Sequence, residues 1–180
     1  MSEELSELKE HAEHAKENPD LAPVSVTMAI LAVVVAVVSL LGHRAHTEEV
    51  VLQAKASDQW AYYQAKNIRR HEDEIFNDLT SVQPASDAAA LAKLHEKYAG
   101  EAERYKDDQN EISDKAKELE AEVAIERDRA NRYDLAEVFL EVGLVITSIT
   151  LLSGRKVFWM AGILLGIIGI VLAGTGFFVH

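Results

Sequence analysis

The chain has 180 residues, a formal net charge of −12 at neutral pH, 48% hydrophobic residues and no cysteine. Without cysteine there are no disulfides, thiolate metal sites or cysteine nucleophiles, and the acidic balance makes nucleic acid an unfavourable partner. Only three prolines occur in the chain, and the apolar residues of its polar middle are largely alanine, which favours long helices over a core of strands.

An acidic tail occupies residues 1–23, and we predict a short amphipathic helix over Met1–Glu17. Its apolar stripe is thin and its other face is acidic, whereas interfacial helices on anionic lipid are usually basic. Glu7 and His11 lie one helical turn apart, a spacing that can hold a metal ion, but no supporting ligands surround them. We therefore assign no metal site.

Three apolar runs are each long enough to cross a bilayer as a helix, namely 24–42, 135–152 and 157–179. The first run follows an acidic tail and is longer than the apolar part of a typical signal peptide, so we expect it to remain as an anchor. A short basic turn, 153–156, separates the last two runs. The fold class that these runs indicate is an all-α membrane protein with three transmembrane helices.

The polar segment 43–134 is predicted to form a helical-hairpin, coiled-coil stalk between the first and second spans. Two heptad series support it. The first series consists of Val51, Ala54, Asp58, Ala61, Ala65, Ile68, Glu72, Ile75 and Leu79, and the second consists of Tyr105, Gln109, Ile112, Ala116, Leu119, Val123, Glu126, Ala130 and Tyr133.

The tip of this stalk is predicted near residues 80–100. Pro84 gives the strongest turn signal, and Ser86 is the candidate N-cap of the returning helix. The returning arm is the longer of the two, so we expect a break at Gly100 that sets off a short tip helix over Asp87–Ala99 and leaves two arms of equal length.

Aromatic side chains lie off the first heptad series and are predicted to form a second face of that helix: Trp60, Tyr62, Tyr63 and Phe76. A pair of helices with alanine and acidic residues in its seam packs weakly, and each apolar face must be buried somewhere. The sequence therefore favours a homo-oligomer.

Glu137 and Glu141 stand on one face of the second apolar run, where an ionised carboxylate is costly unless paired or hydrated. In an antiparallel arrangement His43 and Arg44, at the end of the first run, become available as partners, and His180 should reach the same level. Two interpretations follow. Either these residues form structural pairs near the span ends, or glutamates from several subunits form acidic rings that attract cations.

The third apolar run carries a stripe of small residues, Gly162, Gly166, Gly169 and Ala173. Small residues allow close approach of helix backbones, so we predict that this stripe packs the third span on the second or on a neighbouring subunit. Patterns for phosphate loops, nucleophile elbows, metalloproteases and dinucleotide sites do not occur in the sequence. We therefore predict no enzymatic activity and no cofactor.

The stretch HRAHTEEVVLQAKASDQWAYYQAK, residues 43–66, resembles the signature of a bacterial membrane-protein family catalogued as domain of unknown function 4337. The resemblance extends over nearly the whole chain. It implies a bacterial inner-membrane protein with one span before this stretch, a helical middle and two closing spans, and it brings no activity, cofactor or site residues.

Within that stretch Asp58, Gln59, Trp60, Tyr63 and Gln64 combine aromatic bulk with hydrogen-bonding groups. Such a surface suits contact with another protein. The alternative is an internal contact with the returning arm near Leu119 or Val123.

The function predicted from the sequence is a non-enzymatic homo-oligomeric scaffold or protein-interaction module. Its partners would be the lipid bilayer, further copies of the chain and another protein bound through the stalk. Two alternatives remain open: a cation-conducting or transport assembly that uses Glu137 and Glu141, or an accessory subunit of a larger membrane complex. Lys and Arg are nearly balanced between the two sides and slightly favour a cytoplasmic tail.

Overall fold

The computed structural model describes residues 21–82 and 87–179. These residues form three helices and no strands: α1 over Ala22–Ser81, α2 over Ala88–Ser153 and α3 over Lys156–Gly176. The prediction of an all-helical chain is therefore confirmed for the described residues.

Several sequence predictions lie outside the described residues: the tail helix Met1–Glu17, the turn residues Pro84 and Ser86, and His180. The residue that caps α2 is Asp87, one position after the predicted cap. Its Oδ1 atom accepts hydrogen bonds from the backbone N–H groups of Ala89 and Ala90, each at 3.0 Å. This satisfies two of the donors that a helix start leaves without a partner.

The predicted helix break at Gly100 is wrong, because α2 continues through it as one helix of 66 residues. A single interior glycine costs only about 1 kcal/mol relative to alanine. Cooperative hydrogen bonding on both sides of Gly100 outweighs that penalty, since a break would leave several backbone groups unpaired.

The connection between α2 and α3 is shorter than the predicted basic turn and consists of Gly154 and Arg155. Gly154 has φ of +66°, a left-handed conformation that glycine adopts without steric strain. Its backbone N–H donates to the carbonyl of Thr150 at 2.8 Å. This geometry ends α2 and starts the next helix at Lys156.

Each of the three helices contains an 18-residue window that is long and apolar enough to cross a membrane. The mean hydropathy of these windows is 2.8 in α1, 2.0 in α2 and 2.4 in α3. About 20 predominantly apolar residues match the thickness of a bilayer core. Length and composition together suggest a multi-pass membrane protein.

The chain divides into two compact units. The three-helix unit comprises Met1–Glu48 and Ile125–His180, of which residues 21–48 and 125–179 are described. It combines parts of α1 and α2 with all of α3. Its buried core consists of Leu31, Val38, Ala45, Ala130, Tyr133, Ala136, Leu140 and Ala173. Small residues contribute much of this core, so the helices approach closely.

The two-helix unit, Glu49–Ala124, pairs the later part of α1 with the earlier part of α2 in antiparallel fashion. Contacts between Trp60 and Glu120 and between Thr80 and His95 fix this direction, because the α2 number falls as the α1 number rises. Its buried apolar cluster consists of Leu52, Ala56, Leu119 and Val123.

The two heptad series behave differently. The second series faces a neighbouring helix as predicted, with seven of its positions buried: Gln109, Ile112, Ala116, Leu119, Val123, Ala130 and Tyr133. The first series is exposed throughout, including Ile68 at 59%, Ile75 at 57% and Leu79 at 57% exposure. Its assignment as the seam between the two arms is therefore wrong.

The seam of α1 is instead centred on Leu52 and Ala56, and half-buried polar and aromatic residues continue it, among them Tyr63, Lys66 and Asn67. Specific hydrogen bonds to α2 select this face, as described below. The spacing of apolar residues along α1 contains no information on these hydrogen bonds. A prediction from that spacing therefore selects the exposed face of α1 and not the face that contacts α2.

Candidate functional site

The small-residue stripe of α3 packs inside the three-helix unit. Gly162, Gly166, Gly169 and Ala173 are all buried. A Cβ atom added to Gly162 would lie 2.6 Å from the carbonyl oxygen of Gly143, and one added to Gly166 would lie 2.7 Å from Leu31 Cδ2. These positions hold α3 against α2 and α1 of the same chain, so the stripe has no accessible surface for another subunit.

The proposed glutamate cluster is not assembled in the described residues. Glu141, His43 and Arg44 are exposed and Glu137 is half-buried. Within residues 21–82 and 87–179, no hydrogen bond or ion pair involves any of these four side chains. Glu141 thus points away from the helix core, on the outer surface of the apolar part of α2.

A different polar cluster forms close to these residues, where α1 meets the start of the apolar part of α2. His46 Nε2 lies 3.0 Å from Asp134 Oδ2. Arg129 Nη2 donates to the carbonyl of Val179 at 3.2 Å, and Arg132 Nη1 donates to that of Thr175 at 3.4 Å. The cation of Arg132, at one of the last carbonyls of α3, interacts favourably with the helix dipole of α3.

Sequence reasoning did not identify this cluster as a site. A usable signal was available, because Arg129 and Arg132 are three residues apart on one helix face, immediately before an apolar run. What could not be read was their partner, since backbone carbonyls at the end of α3 leave no trace in the sequence.

At the other end of the three-helix unit, Trp159 of α3 contacts the start of α1. Its Nε1–H donates to Thr27 Oγ1 at 3.0 Å, and the Thr27 hydroxyl donates to the carbonyl of Pro23 at 2.8 Å. An indole with a hydrogen-bonded N–H beside an apolar segment is typical of a membrane–water boundary. Polar contacts therefore occur at both ends of the unit.

Two of the three hydroxyl groups in the apolar part of α2 do not share a face with Glu141, and only Ser148, seven residues after it, does. Thr147 and Thr150 are fully buried, and the Thr147 hydroxyl donates to the carbonyl of Gly143 at 2.7 Å. Ser148 donates to the carbonyl of Val145 at 2.7 Å. Thr147 and Thr150 therefore cannot line a pore together with the glutamates, because they lie on a different face of α2.

The five residues of the predicted interaction surface have different environments. Asp58 and Gln64 are exposed, whereas Gln59, Trp60 and Tyr63 are half-buried. Trp60 Nε1 donates to Glu120 Oε1 of α2 at 2.8 Å. Its ring meets that of Tyr63 edge to face, with centroids 5.6 Å apart. The structure thus places the aromatic members of this set against α2, close to the internal contact that was the alternative.

Halfway along the two-helix unit the seam is polar. Lys66 Nζ lies 2.7 Å from Asp108 Oδ2 and 4.8 Å from the ring centroid of Tyr105. The hydrogen bond to Asp108 raises the pKa of Lys66 above its usual value, against the opposing effect of desolvation. Asn67 Oδ1 accepts a hydrogen bond from Gln109 Nε2 at 3.1 Å. These bonds fix which face of α1 meets α2.

Farther along the seam, Asp73 is a poorly satisfied acid. Its Oδ2 atom is buried and has no hydrogen-bond partner in the described residues. Burial, followed by the charges of Glu101 and Glu72, raises the pKa of Asp73, and Lys97 opposes the shift. Phe76 packs against Tyr98 nearby, with ring centroids 4.6 Å apart.

The polarity of α1 is therefore inverted in the distal half of the two-helix unit. Lys66, Asn67 and Asp73 face α2 and are half-buried, while Ile68 and Ile75 face outward and are more than half exposed. A helix that needed only α2 as a partner would show the opposite arrangement.

Open grooves run beside the seam of the two-helix unit. One of them is lined by Gln59, Tyr62, Asp108, Glu111, Ile112, Asp114, Lys115 and Glu118. In the part of the chain that the structure describes, no group of three or more histidine, aspartate or glutamate residues is arranged to hold a metal ion.

One family model matches the chain over residues 20–179, and its description is domain of unknown function, DUF4337. Comparison with curated proteins and with solved structures gives no match.

Proposed function

Because the chain belongs to the DUF4337 family, whose description as a domain of unknown function assigns no activity, we propose a function from its geometry: a non-enzymatic scaffold that forms homo-oligomers in a bacterial cytoplasmic membrane. The three-helix unit is the anchor in this proposal. The two-helix unit is the protein-interaction module.

Two features of the three-helix unit support the role of an anchor. Each of its helices contains an apolar window of sufficient length, and the outward residues of these windows are large aliphatic side chains such as Val33, Val145 and Leu164, which are 60–64% exposed. A surface of this kind is unfavourable in water and favourable in lipid.

The observation that carries the interaction role is the inverted polarity of α1. Ile68, Ile75 and Leu79 are each more than half exposed on a helix whose other face already contacts α2. Exposed apolar residues that recur along one face of an otherwise charged module mark a site of protein contact. Heptad spacing specifies the partner further, because it is the spacing with which one helix packs on another.

A second candidate function rests on Glu141. Its side chain is exposed on the apolar part of α2, and an ionised carboxylate on a lipid-facing surface costs a few kcal/mol or more. Subunits that turned this face inward would form an acidic ring able to attract cations. Replacing Glu137 and Glu141 by Gln, singly and together, separates the two candidates, with Glu122→Gln at an exposed position of the two-helix unit as the control. A liposome cation flux that depends on the two membrane glutamates would favour conduction, and the scaffold role predicts none.

The mass of the complex, extracted mildly from its own membranes and measured by native mass spectrometry, tests the scaffold proposal. A homo-oligomer of defined subunit number is the expected result. A stoichiometric mixed complex would instead assign the chain as an accessory subunit of a larger assembly. A monomer would overturn the proposal, since the exposed apolar residues would then have no protein partner.

A further inference from the structure

The exposed heptad series forms one continuous surface, which we call the outer stripe. It consists of Val51, Ala54, Asp58, Ala61, Ala65, Ile68, Glu72, Ile75 and Leu79. All nine positions are exposed in the two-helix unit. The spacing alternates strictly between three and four residues, so the positions correspond to a and d of successive heptads.

The outer stripe is long enough to specify a helical partner. It covers four heptads, and a series sustained over about three to four heptads is the usual threshold for a coiled coil. At the helical rise, the stretch from Val51 to Leu79 extends for roughly 42 Å. Single exposed aliphatic residues need no explanation, whereas a regular series of this length does.

We propose that the outer stripe of α1 pairs with the outer stripe of a second copy of the chain, as a parallel coiled coil in register. This inference rests on the proposed function, because the membrane anchors set the direction of the two copies. Val51 follows closely after the apolar run 24–42. Copies that enter the bilayer in the same direction therefore bring identical residues of the stripe together.

Identity of the two surfaces makes a second copy the fitting partner. A two-fold axis along the seam pairs every position of the stripe with itself, so the d layers are alanine on alanine in the half nearer Val51 and isoleucine on isoleucine in the half nearer Leu79. Ala54 and Ala61 permit close approach, and Ile68 and Ile75 supply most of the apolar area, all four at d positions.

Two acidic positions limit the strength of this pairing. Asp58 and Glu72 fall at a positions and meet their own copies in the parallel arrangement, which is unfavourable. Lys55 and Arg69 precede them by three residues on the same helix, a spacing at which opposite charges attract. Neither cation forms an ion pair with its acidic neighbour in the described residues. The two acidic layers therefore make the seam a moderate one that depends on the anchors holding the copies together.

The absence of cysteine from the natural chain allows a direct test by disulfide crosslinking in native membranes. Single cysteines are introduced as Ala54→Cys, Ala61→Cys and Ala65→Cys, all at exposed positions where the small substitution leaves the fold intact. Ala121→Cys is the matched control, an exposed alanine on α2 of the same unit. Since each chain holds one cysteine, every disulfide joins two chains.

The expected result is that all three stripe variants convert mainly to covalent dimers on mild oxidation, because facing positions of a parallel coiled coil lie within disulfide distance, while Ala121→Cys stays unlinked. Crosslinking of only one stripe variant would overturn the parallel, in-register pairing, since antiparallel copies meet at a single level. No crosslinking in a complex whose mass shows a homo-oligomer would overturn the assignment of this surface and leave the scaffold function standing. A monomeric mass would overturn both.

Discussion

At the scale of single residues, Gly162 is the position where the packing of α3 leaves least room. A Cβ atom there would overlap Thr147 Oγ1 and lie 2.6 Å from the carbonyl oxygen of Gly143. We expect Gly162→Ala to destabilise the three-helix unit by about 1–3 kcal/mol, because the backbone of α2 cannot move away without breaking its own packing. The measurement is the Tm in detergent, followed by circular dichroism.

Gly174→Ala is the matched control for this substitution. Gly174 lies in the same helix, and a Cβ atom added there would have no atom within 4 Å. Its Tm should equal that of the natural protein or rise slightly, since alanine is the better helix former. Equal losses in both variants would contradict the assignment of close packing to Gly162.

Asp73 predicts a pH-dependent stability. Burial and the neighbouring acids Glu101 and Glu72 raise the pKa of Asp73 above 3.8, so the folded protein binds this proton more tightly than the unfolded chain does. The contribution of Asp73 to stability is therefore fully present below the unfolded pKa of 3.8 and is lost as the pH rises through the raised pKa of the folded protein. We expect Asp73→Asn to be more stable than the natural protein at pH 7, by on the order of 1 kcal/mol.

The comparison of Tm values at pH 4 and pH 7 checks this expectation, because the advantage of Asp73→Asn should shrink at the lower pH. Asp107→Asn serves as the control, since Asp107 is exposed on α2. If both variants shift the Tm by the same amount at both pH values, the effect comes from net charge and not from the environment of Asp73.

At the scale of elements, α1 shows what the periodicity of apolar residues can and cannot predict. Its heptad spacing was found from the sequence, but its partner was misassigned to α2, because seven apolar positions outweighed the polar ones in the count. The bonds from Lys66 to Asp108 and from Asn67 to Gln109 choose the other face. Each of these bonds needs a specific register between two helices, and register is not a property of either segment alone.

The second series was read correctly for the same physical reason. In α2 the apolar positions and the buried positions coincide, as at Ile112, Ala116 and Leu119, so a count of apolar residues and the actual packing agree. The small-residue stripe of α3 was also recognisable, since glycine at this spacing has few roles in an apolar helix other than close packing. The contacts of Arg129 and Arg132 with the C-terminal segment were not, because the acceptors there are the backbone carbonyls of Val179 and Thr175.

The acidic positions of the outer stripe give a prediction for α1 as an element. Replacing Asp58 and Glu72 together by alanine should increase self-association, because two like-charged layers of the proposed seam are removed. The fraction of dimer in crosslinking of Ala65→Cys is the measurement, and it should rise at limiting oxidant. Asp107→Ala with Glu111→Ala removes the same charge from exposed positions of α2, and an equal rise in that control would assign the effect to net charge.

At the scale of the whole molecule, the proposed membrane anchor can be tested by topology, because three crossings would place the two connections between helices on opposite sides of the membrane. A cysteine at Ala99, in the two-helix unit, and a cysteine at Ser153, at the end of α2, both occupy exposed positions in an otherwise cysteine-free chain. If the apolar part of α2 spans the bilayer, one membrane crossing separates the two cysteines, and they lie on opposite sides of the membrane. We expect a membrane-impermeant thiol reagent to label one of them, and only one, in intact cells.

Detergent provides the control for this labelling, because both cysteines should react once the membrane is dissolved. Labelling from the same side in intact cells would show that α2 does not cross, and its apolar part would then have to be buried in protein. Labelling of Ala99→Cys from outside would place the two-helix unit, with its outer stripe, on the external face, in agreement with the slight preference for a cytoplasmic tail. Labelling of Ser153→Cys instead would reverse the orientation and leave the three-span arrangement intact.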